Sequence, residues 1–204
     1  MKDLPFFNEK TVCLIGPCRQ TAELNQFTKN QLIFVDGGAK YRDKNQQCFT
    51  IGDNDSLNEK EFAFDILFNP KKDFSDLKGA LGLLTSKQEK IFLSGFSGGR
   101  FDHFLCVLGD CFNHLDEYPG SIIFLDDNVT LFPKGTHQIE FVGDFSLISF
   151  KENKVSLVGN IAYPCKDLVT YPGSSQLLSN RSEGIFTLAT QIPAALIKGN
   201  YCVD

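Results

Sequence analysis

The sequence predicts a parallel α/β sheet of Rossmann-like type followed by a small antiparallel β-sandwich or barrel, on three observations. Strand-like and helix-like patterns alternate through the first half of the chain. After Tyr118-Pro119-Gly120 only short β-like runs follow, broken roughly every eight to twelve residues by Gly, Pro, Asn or Asp. Aspartates recur where the strands of the first half end. The expected domains are therefore 1–118, an α/β catalytic unit, and 119–204, a β-rich unit.

Each element has a local reason. TVCLIG (11–16), QLIFVD (31–36) and KIFLSGF (90–96) are short apolar runs ended by Gly or Asp, and FAFDILF (62–68) is a weaker one. Runs apolar on both faces suit parallel strands covered by helices. From Ser75 onward, Leu77, Ala80, Leu81 and Leu84 hold one helical face. From Phe101, the set Phe101, Phe104, Leu105, Leu108, Cys111, Phe112 and Leu115 predicts a second helix with one apolar stripe. In the β-rich half the runs are SIIFLDD, NVTLFP, HQIEFV, DFSLISF, KVSLVG and GIFTLAT.

Composition narrows the class. With 204 residues, 42% hydrophobic and 22% charged, the chain can bury a sizeable core. A net charge of −5 and no basic run longer than Lys71-Lys72 exclude a chain-wide nucleic-acid footprint. No stretch is long and apolar enough to span a bilayer, and MKDLPFFNEK lacks a signal-peptide core. Seven cysteines without a CxxC pair read as free thiols of a reducing compartment, with Cys13 and Cys106 as packing groups. The expected location is the cytoplasm, where the sequons at Asn54, Asn128 and Asn180 carry no meaning.

The chemistry is concentrated at the strand ends. Asp36 closes a strand in FVDGGA, with Gly37 and Gly38 after it; Asp53 and Asp55 follow FTI; Asp73 and Asp76 precede a helix; Asp102 follows the turn GFSGGR. In an open parallel sheet all carboxyl ends point to one edge, where ligands bind. Six carboxylates there repel one another unless a cation compensates, and Mg²⁺ takes carboxylate oxygens and shares them with substrate phosphates. Gly98, Gly99 and Arg100 open a helix whose amides attract anions, and the guanidinium adds a phosphate fork. Singly, Asp-Gly-Gly is a turn and Asp or Ser a helix cap; four such sites at successive strand ends are hard to explain as turns and caps alone. The absence of GxxxxGK[ST] excludes a Walker loop. His114 and His137 read as surface or packing residues, while His103 sits at a helix start beside Asp102.

The ordered motifs DGGA (36–39), GDNDS (52–56), KDFSDL (72–77), GFSGGRFDH (95–103), GNIAYP (159–164) and LSNRS (178–182) resemble those of the thiamine pyrophosphokinase family. The resemblance implies transfer of the terminal diphosphate of ATP to the hydroxyl of thiamine, with release of AMP. It implies Mg²⁺ at Asp53, Asp55 and Asp76, and a nucleotide and phosphate site lined by Asp36, Asp73, Ser75 and Arg100, with Asp102 beside them. Tyr163, Ser179 and Asn180 fall at its thiamine positions, and the family's assembly is a homodimer with active sites shared between subunits. The chain departs from the family pattern at Asn54, Ser75, Tyr163 and Val107, where relatives carry Phe, Thr, Trp and Asn. The rival readings are a Mg²⁺-dependent diphosphokinase acting on another small alcohol such as a hydroxymethyl pterin, and a Mg²⁺-dependent phosphohydrolase. A binding protein with a relic site is a third.

Overall fold

A computed structural model describes residues 4–19, 22–42, 48–53, 55 and 63–199. The first half supplies β1 (Thr11–Ile15), β2 (Leu32–Val35), β3 (Phe49–Gly52), β4 (Ile66–Leu67), α1 (Asp76–Leu81), β5 (Lys90–Ser94) and α2 (Phe101–Glu117). The second supplies β6 (Ile122–Leu125), β7 (Val129–Phe132), β8 (Gly135–Ile148), β9 (Asn153–Ile161), β10 (Cys165–Thr170), β11 (Asn180–Thr190) and β12 (Ala194–Lys198). All twelve strands join one mixed sheet, in the order β10-β9-β11-β8-β12-β7-β6-β5-β1-β2-β3-β4.

Strands β1 to β6 pair in parallel, so their carboxyl ends share an edge. Alternation along β1 sends Val12 and Leu14 into a core shared with α1 and α2, and Cys13 and Ile15 into a smaller cluster behind the sheet. Burying each such aliphatic side chain contributes about 1.5–3 kcal/mol. The cover is thinner than a Rossmann-like alternation predicts. Among the described residues only α1 and α2 are α-helices, and the connections after β1 and β2 run through short 3₁₀ turns. Those connectors are rich in Asn, Gln, Lys and Gly and lack a helical apolar stripe, so the layered α/β description gives way to a large mixed sheet with few helices.

Three further expectations change. The run SIIFLDD becomes β6, which extends the parallel half by pairing with β5, and antiparallel pairing begins only at β7. HQIEFV and DFSLISF fuse into β8, and the β-rich strands are joined by hydrogen bonds to the main sheet through β7 and β6 while keeping a core of their own. Strands β10 and β12 were not legible, because CKDLVT and AALIK are too short or too polar to stand out. On α2, the buried stripe is Phe104, Leu108, Cys111, Phe112 and Leu115, whereas Phe101 and Leu105 are exposed. Cys106 is exposed too, since its position points away from that stripe, while Cys13 is buried as expected. His114 is buried against Tyr118, and burial pushes its imidazole down to about 4.

Candidate active site

The parallel edge gathers the acidic residues by chain geometry. Asp36 follows β2 directly, at φ 44, and starts a 3₁₀ turn through Tyr41. Gly38 in that turn approaches β1 so closely that a Cβ would lie 2.0 Å from the Ile15 carbonyl oxygen. Gly37 and Gly38 are both buried, so they serve backbone packing more than ligand contact. Asp53 follows β3, and its carboxylate accepts the Asp55 amide at 3.3 Å. Ligand oxygens of Asp36, Asp53 and Asp55 all lie within 4.8 Å of one another. Asn54 and Ser56 of the same motif lie outside the described residues.

Lys72, which the sequence reading passed over, sits on this cluster. Its ammonium donates to Asp53 at 2.5 Å and is 3.1 Å from Asp76 Oδ1. The second contact is an ion pair without hydrogen-bond alignment, because Asp76 Oδ1 has no hydrogen-bond partner. Burial pushes the Asp53 carboxyl up, but hydrogen bonds from Lys72 and from Asp55 outweigh it and hold it below the usual range. For Asp76 burial prevails, helped by the charges of Asp53 and Asp36, and its carboxyl lies above that range. Burial opposes the Lys72 charge, yet its two carboxylate partners keep its ammonium above the ordinary value. Asp36 Oδ1 is buried with no partner. Close carboxylates with orphaned oxygens are the donor set of a hard divalent cation, so the residues fit Mg²⁺.

Ser75 caps α1 by accepting the Lys78 amide, and its hydroxyl donates to Asp110 on α2 at 2.6 Å. Asp73 is exposed and does not line the pocket. Opposite, Gly98 and Gly99 take φ values of 99 and 71, and a Cβ at either would meet nothing within 4 Å. The turn needs glycine for its backbone, and the space above it is open. Asp126, at the end of β6, fixes the start of this turn by accepting the amides of Gly95 at 2.7 Å and Ser97 at 2.8 Å. It follows a strand like the other site aspartates, and the same strand-end logic applied to SIIFLDD would have found it. Arg100 forms a two-point fork with Asp102, and that hydrogen bonding holds the Asp102 carboxyl down to about 2. Both side chains are exposed, so the pair adds little stability and the guanidinium remains accessible.

Asp36, Asp53, Asp55, Ser75, Asp76 and the 98–100 turn wall a pocket of about 600 Å³. His103, Cys18 and Val107 also line it, the last giving an apolar wall. The expected thiamine residues lie elsewhere on the chain. Asn180 is buried, and its side chain clamps the backbone of Tyr163, accepting its amide at 3.0 Å and donating to its carbonyl at 2.9 Å. Ser179 takes φ 55 beside it, and its amide donates to Ser146. The Tyr163 ring is 68% exposed, presented on the surface by that clamp.

An edge that can hold both a hard cation and a polyanion is suited to phosphoryl or diphosphoryl transfer. Residues 24–119 match the family described as thiamin pyrophosphokinase, catalytic domain. The match spans just under half of the chain, from before β2 to the end of α2, and takes in the acidic edge and the glycine turn. The fold agrees. The chain is similar to the thiamine pyrophosphokinase structure from Bacillus subtilis, at 24% identity and TM-score 0.75, with 94% of this chain and 100% of that one covered. It is similar to thiamin pyrophosphokinase from Geobacillus thermodenitrificans, at 19% identity and TM-score 0.73, covering 95% and 100%. It is also similar to thiamin pyrophosphokinase from Candida albicans, at 17% identity and TM-score 0.73, covering 95% and 91%. None of the curated proteins matches in sequence. No helix among the described residues is long and apolar enough to cross a membrane.

Proposed function

We propose that the chain is a thiamine diphosphokinase, transferring the diphosphate of ATP to the hydroxyl of thiamine at the parallel edge, with Asp36, Asp53, Asp55 and Asp76 forming a Mg²⁺ site and Gly98, Gly99 and Arg100 receiving the phosphates of ATP. The observation that carries the reading is the convergence of the carboxylates, one with a buried unpartnered oxygen, on a pocket whose wall also contains the glycine turn. A bound divalent cation would neutralise phosphate charge and align the diphosphate with the attacking hydroxyl. The protein's share is positioning. Arg100 adds a planar donor fork for phosphate oxygens, and Asp126 holds the start of the turn that lines the pocket in shape. Ser75 ties α1 to α2 through Asp110, which fixes Asp76 at the helix start. In the reaction thiamine's hydroxyl oxygen bonds to the β-phosphorus and gives up its proton to solvent or a pocket carboxylate, the bond from that phosphorus to the α–β bridging oxygen breaks, and AMP leaves with that oxygen.

The β-rich unit from about residue 119 would supply the thiamine surface, with Tyr163 offering a ring to a cationic thiazolium and Ser179 and Asn180 shaping its frame. Asp73 and Asp102 would act at the rim of the nucleotide site. Because Tyr163, Ser179 and Asn180 are absent from the walls of the acidic pocket, a complete site calls for a second subunit, in a cytoplasmic homodimer. Incubation with ATP, Mg²⁺ and thiamine tests the reading: AMP and thiamine diphosphate should appear in equal amounts. Release of inorganic phosphate, or turnover of a hydroxymethyl pterin in preference to thiamine, would overturn it.

A further inference from the structure

We propose that Lys72 is an internal counter-ion of the carboxylate cluster, seated in the place of a divalent cation's charge and displaced when that cation binds. The inference rests on the metal reading above and adds to it a residue and a consequence. Like charges at this density are costly in a partly buried site, and a protein must either protonate some of them or supply positive charge. Lys72 supplies it. Its side chain is only 8% exposed, its ammonium contacts Asp53 and Asp76, and Asp53 is one of the three aspartates whose oxygens converge.

The seat is built for a cation. The ammonium lies 5.6 Å from the Phe68 ring centroid and 5.9 Å from that of Phe74, and the two rings pack edge to face. Rings at that range attract the ammonium modestly and keep water from it. The link to Asp76 spans a single turn of chain, so release needs only the flexible stem to swing, with no change in the backbone. A divalent ion on the Asp53 carboxylate and this ammonium, which already holds Asp53 Oδ2, would lie close enough to repel each other strongly. Metal binding is then an exchange, and the cluster holds metal weakly until a polyanion arrives. ATP brings further oxygens for the metal and a new partner for the freed ammonium, so metal and nucleotide reinforce each other.

The test uses the full-length protein without nucleotide. Mn²⁺ binding is first measured by electron paramagnetic resonance in the wild type and in Asp53→Asn. Acetylation of Lys72 by an amine-reactive ester is then quantified by mass spectrometry with and without saturating Mg²⁺. Labelling of Lys72 should rise about fivefold or more with the metal, as expected for loss of a pair worth about 1 kcal/mol. Lys10, whose side chain is 75% exposed, should not change. Lys72→Met, which keeps the apolar stem, should bind Mn²⁺ about tenfold more tightly than the wild type. Metal binding with Lys72 still protected, or a Lys72→Met variant that binds Mn²⁺ no better, would overturn the exchange and leave the metal site standing. Absence of metal binding in the wild type would instead remove the metal reading, and this inference with it. If Lys72→Met does not fold, the wild-type labelling decides alone.

Discussion

The parallel and antiparallel halves of the sheet handle polar residues in opposite ways. In the parallel half, polar side chains stand at strand ends and keep unpaired or exchangeable contacts: Asp36 Oδ1 has no partner, and Asp53 is held by a lysine. In the antiparallel half, the corresponding candidates are spent on structure, since Asn180 accepts the amides of Tyr163 and Arg181 and donates to the Tyr163 carbonyl. Asn153 does likewise, bonding Ser149, Thr190 and the backbone of Gln191 and Ile192. One half keeps carboxylates whose repulsion a cation would relieve, and in the other the candidate polar side chains are already bonded. On the proposed function, chemistry belongs to the first and recognition to the second.

The largest effect should come from breaking the acidic edge. Asp55→Asn removes a converging carboxylate, is exposed, and leaves the fold intact, so diphosphate transfer should fall by about a thousandfold or more. Asp116→Asn, which loses only its exposed contact with Lys151, should change nothing. Near wild-type turnover in Asp55→Asn at ordinary Mg²⁺ would move the metal site elsewhere.

Acid should also separate the halves. His114 is buried on α2, and its imidazole is held at about 4 against the ordinary 6.5. A base whose folded value is depressed is neutral in both states above 6.5; as pH falls from 6.5 to 4 the unfolded chain takes up the proton first and stability is lost. The drop corresponds to about 3 kcal/mol. Urea unfolding at pH 7 and pH 4.5 should show this loss, and His114→Leu should remove most of it. Hydrogen exchange at pH 4.5 should rise in β1, β5 and α2 relative to β8 and β11. Equal pH dependence in wild type and His114→Leu would mean another group controls acid stability.

A smaller loss is expected at the phosphate fork. Arg100→Lys keeps the charge but loses the planar geometry that now engages Asp102 at two points, so turnover should drop by about 10- to 100-fold with little change in stability. Asp102→Asn frees the guanidinium and should leave most of the activity. An Arg100→Lys enzyme with wild-type kinetics would reduce the fork to a helix-start contact.

The contrast also explains what was legible in the sequence. Strand-end aspartates and a glycine pair are local signals, and Asp36, Asp53, Asp55, Asp76 and Arg100 were readable and do line one pocket. Lys72 was not, because a lysine beside Asp73 reads as a solvated charge until the fold turns it inward. Asp126 is hidden by its run, because SIIFLDD reads as part of the antiparallel half although it pairs in parallel with β5. β8 escaped because Gly143-Asp144 looks like a turn, and the pairing with β11 that carries the chain through it is not a local property. Phe101 and Leu105 were counted as core from period alone, although only tertiary contacts decide which edge of a stripe is covered.

The last prediction asks whether the two halves meet across subunits. The candidate thiamine residues lie outside the walls of the acidic pocket, so within one chain the chemistry and the recognition surface are separate. Asn180 is a poor probe, since Asn180→Ala would leave the Tyr163 amide and carbonyl without partners and cost about 1–3 kcal/mol. Tyr163→Ala is better, because the exposed ring can be removed while the clamp remains. Alone, Tyr163→Ala should raise the KM for thiamine more than it lowers kcat, whereas Asp55→Asn should lower kcat. Mixed one to one, allowed to exchange and assayed at thiamine far below the KM of Tyr163→Ala, where both parent homodimers are nearly silent, the two variants form heterodimers at about half the population, each with about one intact site, so about a quarter of wild-type activity should return. Recovery near that level would mean that the edge of one chain works with the tyrosine of the other. Exchange demonstrated by mass spectrometry with no recovered activity would put both contributions in the same chain, and would require the surface carrying Tyr163 to reach its own acidic edge.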